Sequence, residues 1–132
     1  MNHWKIAALV TLLGMGLAQA QPAATPPAPP LLTKDLIGAP GKEVRVMSLT
    51  SAPGASSPVH RHNAQVFVYL LSGSMEMQVK GKPPVTLKPG DTFYESPDDI
   101  HSESRNLSKT EPAKFLVFMV TAKGAPTTVP VK

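Results

Sequence analysis

The stretch GASSPVHRHNAQVFVYLLSG, residues 54–73, decides how the rest of the chain is read. His60 and His62 lie two apart, and in an extended strand that spacing projects both imidazoles onto one face, about 6–7 Å apart at Cα. Rings so placed can converge on one ion, because metal–nitrogen bonds are about 2.0–2.2 Å long. On residue type alone, surface histidines or a hydrogen-bonded pair are the default reading of His-x-His. From Val66 to Leu71 the chain is continuously apolar, and Ser72-Gly73-Ser74 then marks a tight turn.

Outward from this stretch the pattern is the same on both sides. Short runs rich in Val, Phe, Tyr, Leu and Met are broken by Gly and Pro every eight to twelve residues, with no helical period. Lys42 to Thr50 alternates Val44, Val46 and Ser48 against Arg45 and Met47. Met75 to Val79 alternates Met75, Met77 and Val79 against Glu76 and Gln78. Val85 to Lys88 runs into the turn Pro89-Gly90-Asp91, followed by runs at Thr92–Ser96, Ile100–Arg105 and Lys114–Thr121. Strands this short and this closely spaced predict an all-β fold, a small antiparallel sandwich or barrel.

The ends read differently. Lys5, the apolar run Ile6–Leu17 and the small-x-small sequence Ala18-Gln19-Ala20 predict a signal peptide over residues 1–20, cut after Ala20. Twelve apolar residues fall short of the roughly 20 that a permanent membrane anchor needs. Residues 21–35 include QPAATPPAPPLL, with five prolines, and read as an extended spacer. The globular part is expected over 36–123, and the tail 124–132, with Pro126 and Pro130, adds at best an irregular edge strand. The expected location is therefore periplasmic or secreted.

Composition narrows the chemistry. The formal charge is +4, of which Lys5 supplies one, and the remaining basic residues are scattered. Nucleic-acid binding needs a concentrated basic stripe, so it is not expected. There is no cysteine. Thiol nucleophiles, thiolate metal sites and iron–sulfur clusters are excluded, and any metal must be held by nitrogen and oxygen.

Three histidines lie outside the signal segment: His60, His62 and His101. Residues 54–73 resemble the first motif of the cupin family: Gly, five residues, His-x-His, a short gap, an acidic residue, six residues and Gly. Gly90 to His101, with Asn106 beyond, resembles the second: Gly, a strand, Pro97 and its turn, His, then Asn. Together the motifs span Gly54 to Asn106, close to half of the chain after the predicted cut. The resemblance implies a small jelly-roll barrel, or double-stranded β-helix, holding one divalent transition metal (iron, manganese, nickel, copper or zinc) inside the sheet. It also implies a small-molecule ligand and a homodimer.

The sequence departs from the first motif in one place. Val66 occupies the acidic position and cannot ligate, so Gln65 is the nearest donor and completes the expected set His60, His62, Gln65 and His101. If Gln65 points inward, Phe67, Tyr69 and Leu71 share its side, and Phe67 and Tyr69 line the cavity. If Val66 points inward, the protein supplies three ligands only. Phe93 is a further cavity-lining candidate, and so is Glu103, which shares strand parity with His101. Asp98 and Asp99 are expected to build the turn before His101. Three functional readings follow. One is a metal-dependent cupin enzyme of dioxygenase or isomerase/lyase type on a small oxygenated compound. The second is a non-catalytic periplasmic module that binds a metal or small ligand, and the third is a metal-free isomerase using a histidine as base.

Overall fold

Val66, Val68 and Leu70 alternate with Phe67, Tyr69 and Leu71, and the first three are buried while the second three are exposed. A continuous apolar run thus resolves into one core face and one outer face, as the period of a strand requires. The computed structural model describes residues 29–131, and every regular element among them is a strand. The predicted signal peptide, its cut after Ala20 and the first part of the spacer lie outside the described residues.

Ten strands follow in order: β1 Leu32–Asp35, β2 Lys42–Ser51, β3 His60–Arg61, β4 Ala64–Ser72 and β5 Met75–Val79, then β6 Val85–Leu87, β7 Thr92–Glu95, β8 Ile100–Asn106, β9 Ala113–Ala122 and β10 Val129–Pro130. They form two five-stranded antiparallel sheets, ordered β1-β2-β9-β4-β7 and β10-β3-β8-β5-β6. Inner residues of both sheets meet in one core: Met47, Val66, Val68, Phe115, Val117 and Met119 from the first, Met75, Met77 and Leu87 from the second. The result is the expected jelly-roll arrangement, a barrel flattened into two facing sheets. Each such side chain contributes about 1.5–3 kcal/mol on full burial. All four methionines from Met47 onward are in this core.

Local details depart from the sequence reading. Leu32–Asp35 belongs to β1, paired with Glu43–Val46, and is not part of a spacer. In β2 the buried residues are Glu43 and Met47, while Val44 and Val46 are half-buried. Gly73 has a φ of +84°, and a Cβ there would lie 2.7 Å from the Cα of Ala113, so the β4–β5 turn admits only glycine. Buried Asn106 donates to the carbonyls of Ser51, Ala52 and Glu111 and accepts from the Ser108 amide, fastening the end of β8 to two loops.

The most consequential irregularity is in β8. Val79 pairs with His101, but Gln78 pairs with Glu103, so Ser102 is an extra residue in a β-bulge. Strand parity flips at that point.

Candidate metal centre

His60 on β3 lies directly across from His101 on β8, and the two ring centroids are 5.0 Å apart. His62 follows β3 by one residue, and its ring centroid is 4.8 Å from that of His60. One nitrogen of each imidazole lies within 4.8 Å of the other two. The three imidazoles separated in sequence therefore converge.

Hydrogen bonding fixes two of the tautomers. Nδ1 of His60 lies 2.7 Å from the carbonyl oxygen of Pro58, and Nδ1 of His62 is hydrogen-bonded to the carbonyl of Thr127. A carbonyl only accepts, so both Nδ1 atoms carry the proton and both Nε2 atoms present lone pairs. Those two Nε2 atoms are 3.1 Å apart. Two acceptors at that distance repel unless a cation lies between them. Two ligands about 2.1 Å from one ion are separated by roughly 3.0–3.4 Å, so the pair fits a metal.

Burial reinforces the fit. His101 is 5% exposed and neither of its ring nitrogens has a hydrogen-bond partner. Burial, with the neighbouring His60 and His62 adding to it, pushes its pKa down to about 4. Burial lowers the pKa of His62 as well, against the opposing bond to the Thr127 carbonyl. Neutral imidazole is the form that binds metal, and burial favours that form at His62 and His101.

The histidines open into a cavity of about 460 Å³ between the sheets. Its walls are mainly apolar, with Met47, Leu49, Val68, Phe115 and Val117 prominent, and polar groups come from Ser57, Ser104, Thr127 and Thr128. The tail takes part in the site. Val129 and Pro130 pair with Arg61 and His60, which brings Thr127 to His62 and places Thr128 and Pro130 at the cavity.

Several expected residues are elsewhere. Gln65 is exposed on the outer face of β4 and does not join the histidines, because inward-facing Ala64 and Val66 flank it. Phe67 and Tyr69 share that outer face at 43% and 41% exposure, and pack beside Tyr94 and Phe118 instead of lining the cavity. Phe93 is opposite Val68, faces inward and stacks on His101 with centroids 5.9 Å apart. Glu103 is turned away by the bulge and accepts a bond from Ser56 Oγ at 2.7 Å, while Ser104 takes the inward position. Asp99 builds the turn as expected, its carboxylate accepting from the Ser96 amide at 2.8 Å.

One residue went unread in the sequence. Glu95 is 1% exposed, lines the cavity, and brings Oε1 to 3.3 Å from Nδ1 of His101. Burial, with the charge of Asp99 adding to it, raises its pKa to about 7. A signal existed: Glu95 shares strand parity with Phe93, itself an inward candidate.

The family model described as Cupin domain matches residues 47–119, more than half of the chain. No curated protein sequence matches. Among solved structures, an uncharacterized conserved protein with a double-stranded beta-helix domain from Klebsiella pneumoniae is 20% identical, with 84% of this chain and 90% of that one covered and a TM-score of 0.55. A DMSP lyase from Ruegeria pomeroyi is 24% identical over 69% of this chain, with a TM-score of 0.54. Oxalate oxidase, solved with the substrate analogue glycolate, is 22% identical over 67% of this chain, with a TM-score of 0.53. The chain spans 43% of the lyase and 45% of the oxidase. At these identities the likeness concerns the fold.

Proposed function

The chain belongs to the cupin family, and from that premise we propose that it is a metal-dependent enzyme acting on a small oxygenated molecule with an apolar body. The observation that carries this reading is the pair of Nε2 lone pairs of His60 and His62 at 3.1 Å, with buried His101 beside them. His60, His62 and His101 would hold one divalent ion. Iron, manganese, nickel, copper and zinc all accept imidazole. Bound there, such an ion supplies a Lewis acid or an oxygen-activating centre.

The protein's own part is to shape and dry the site. Met47, Leu49, Val68, Phe115 and Val117 bury the body of a substrate and exclude water. Ser57, Ser104, Thr127 and Thr128 offer hydroxyl groups to orient its oxygen atoms. The three imidazoles are electrically neutral, so an ion held by them keeps its full charge and favours an anionic or bidentate oxygen donor. A lyase, an isomerase and a dioxygenase all use such a donor, and the fold hosts each kind of chemistry.

A second reading is a non-catalytic binding module for a metal or small ligand. It is favoured by the scarcity of proton-transfer groups: Glu95 is the only acidic side chain among the described lining residues. Metal analysis of untagged protein, beside turnover screening of wild type and His101→Ala, decides between them. Metal lost in the variant together with turnover supports the enzyme; tight metal without turnover supports the module. Wild type that takes up no divalent metal overturns the enzyme and the metal-binding form of the module.

Export and pairing belong to the same proposal. Lys5, Ile6–Leu17 and Ala18–Ala20 support a cleaved leader and a periplasmic or secreted protein. N-terminal sequencing of mature protein tests this, with Gln21 the expected first residue. The exposed aromatics Phe67, Tyr69, Tyr94 and Phe118 on one outer face support a homodimer. A monomeric mass in solution would overturn it.

A further inference from the structure

Two of the three imidazoles have Nδ1 held by a backbone carbonyl, Pro58 for His60 and Thr127 for His62. No carbonyl makes such a bond to the third, although the Glu103 backbone lies near its ring. Nδ1 of buried His101 is without a hydrogen-bond partner, and the acidic oxygen that approaches it, at 3.3 Å, is Oε1 of Glu95.

We propose that Glu95 is the positioning residue of the metal centre: its carboxylate receives the Nδ1–H of His101 and so turns Nε2 of that ring toward the ion. The proposal rests on the reading that His60, His62 and His101 hold a metal. It gives all three rings one arrangement, each with Nδ1 on an oxygen and Nε2 directed at a common point.

A purely structural role for Glu95 leaves too much unexplained. The side chain is 1% exposed, its Oε2 has no partner, and its cross-strand neighbour is apolar Val66. Among the described residues no lysine or arginine lies within ion-pair distance of it. A carboxyl group buried this way costs several kcal/mol unless a partner repays the lost hydration. A metal-bound imidazole is such a partner. The ion makes Nδ1–H a stronger donor, and the carboxylate in turn makes the imidazole a stronger ligand. Glu95 thus supplies, through His101, the negative charge that the neutral ligands lack.

The test uses untagged full-length protein, stripped with chelator and reloaded with Co(II). Affinity is measured by competition with a chelator, and coordination by the visible d–d spectrum, for wild type, Glu95→Gln and Glu95→Leu. Outer partners of this kind alter metal affinity by about 10–100-fold. Glu95→Gln keeps an acceptor without the charge, and is expected near the lower end with a shifted spectrum. Glu95→Leu is expected near the upper end, so the amide rescues part of the loss. A Glu95→Gln protein with wild-type affinity and spectrum overturns the proposal, whether or not Glu95→Leu folds. So does a Glu95→Leu protein that changes melting temperature but not Co(II) binding. Wild type that takes up no Co(II) removes this proposal and the metal reading together, whereas unaltered variants beside a binding wild type remove this proposal alone.

Discussion

Val66 and Glu95 stand directly opposite each other across the β4–β7 ladder, both buried and both facing the core. Val66 occupies the place where the resembled first motif carries its acidic residue. The carboxylate that β4 lacks is found on the neighbouring strand, one ladder position away. Opposed Cβ atoms in an antiparallel pair are about 4.5–5.5 Å apart, so Glu95 reaches the same region of the barrel from the other side.

Val66→Glu places a second carboxyl against the first without any cation. Metal-free protein is expected to lose about 2–4 kcal/mol, since two like groups in that space cannot both ionise and neither is solvated. The exchange Val66→Glu with Glu95→Val restores one carboxyl, and recovers at least about 1 kcal/mol of the loss through the coupling of adjacent sites. Urea unfolding of wild type, Val66→Glu, Glu95→Val and the double exchange measures this. A Val66→Glu chain as stable as wild type contradicts the inward register.

The pH dependence of the metal-free protein follows from three groups. Burial holds His62 and His101 below the ordinary histidine value when folded, so stability is lost as pH falls from about 6.5 through that lowered range. Glu95 titrates near 7 when folded and near 4.5 when unfolded, so its neutral form favours folding and stability is lost as pH rises between those values. From pH 4.5 to 6.5 the slopes of His101 and Glu95 oppose, and His62 leaves a net rise with pH. Above 6.5 only Glu95 acts, and stability falls. The maximum is therefore expected near pH 6.5. Glu95→Gln removes the alkaline fall and steepens the acid side, gaining about 3 kcal/mol at full extent by pH 8. Denaturant titrations at pH 5, 6.5 and 8 check the sign on each side.

The legible part of this chain was the part set by local pattern. Alternation and turn residues gave β4, β5 and β9 nearly to their ends, and the resemblance carried by the two motifs implied the three converging rings. What was lost depended on register. Nothing in Ile100–Arg105 announces that Ser102 is an extra residue, so unbroken parity from His101 makes Glu103 an inward candidate and not Ser104. A strand of continuously apolar residues does not show which of its two faces is the core, and the structure turns Val66 inward where Gln65 is the expected donor. Tail residues reach the centre only through tertiary pairing, which no spacing reveals. The outward placement of Gln65 has a direct consequence: Gln65→Ala is expected to bind Co(II) within about 2-fold of wild type, because β4 presents Ala64 and Val66 to the interior instead. A loss of 10-fold in chelator competition would return Gln65 to the ligand set.

The tail acts on the candidate metal ligands from a distance. Arg45 is held by Glu43 at 2.5 Å and donates through Nη1 to the Ala125 carbonyl at 2.7 Å, while Glu43 also accepts from the Gly124 amide. This buried pair fixes the chain two residues before Thr127, whose carbonyl fixes the tautomer and direction of His62. None of the described tail residues belongs to the hydrophobic core cluster. Truncation after Ala125 should therefore leave the metal-free core folded, with little change in melting temperature, yet weaken Co(II) binding about 10–100-fold because His62 loses its outer partner. Arg45→Met acts on the same path less directly. It unfastens the tail but also leaves Glu43 buried without its cation, so both stability and metal affinity are expected to fall. If truncation lowers stability as much as Arg45→Met does and leaves Co(II) affinity intact, the tail is packing alone and the direction of His62 is set elsewhere.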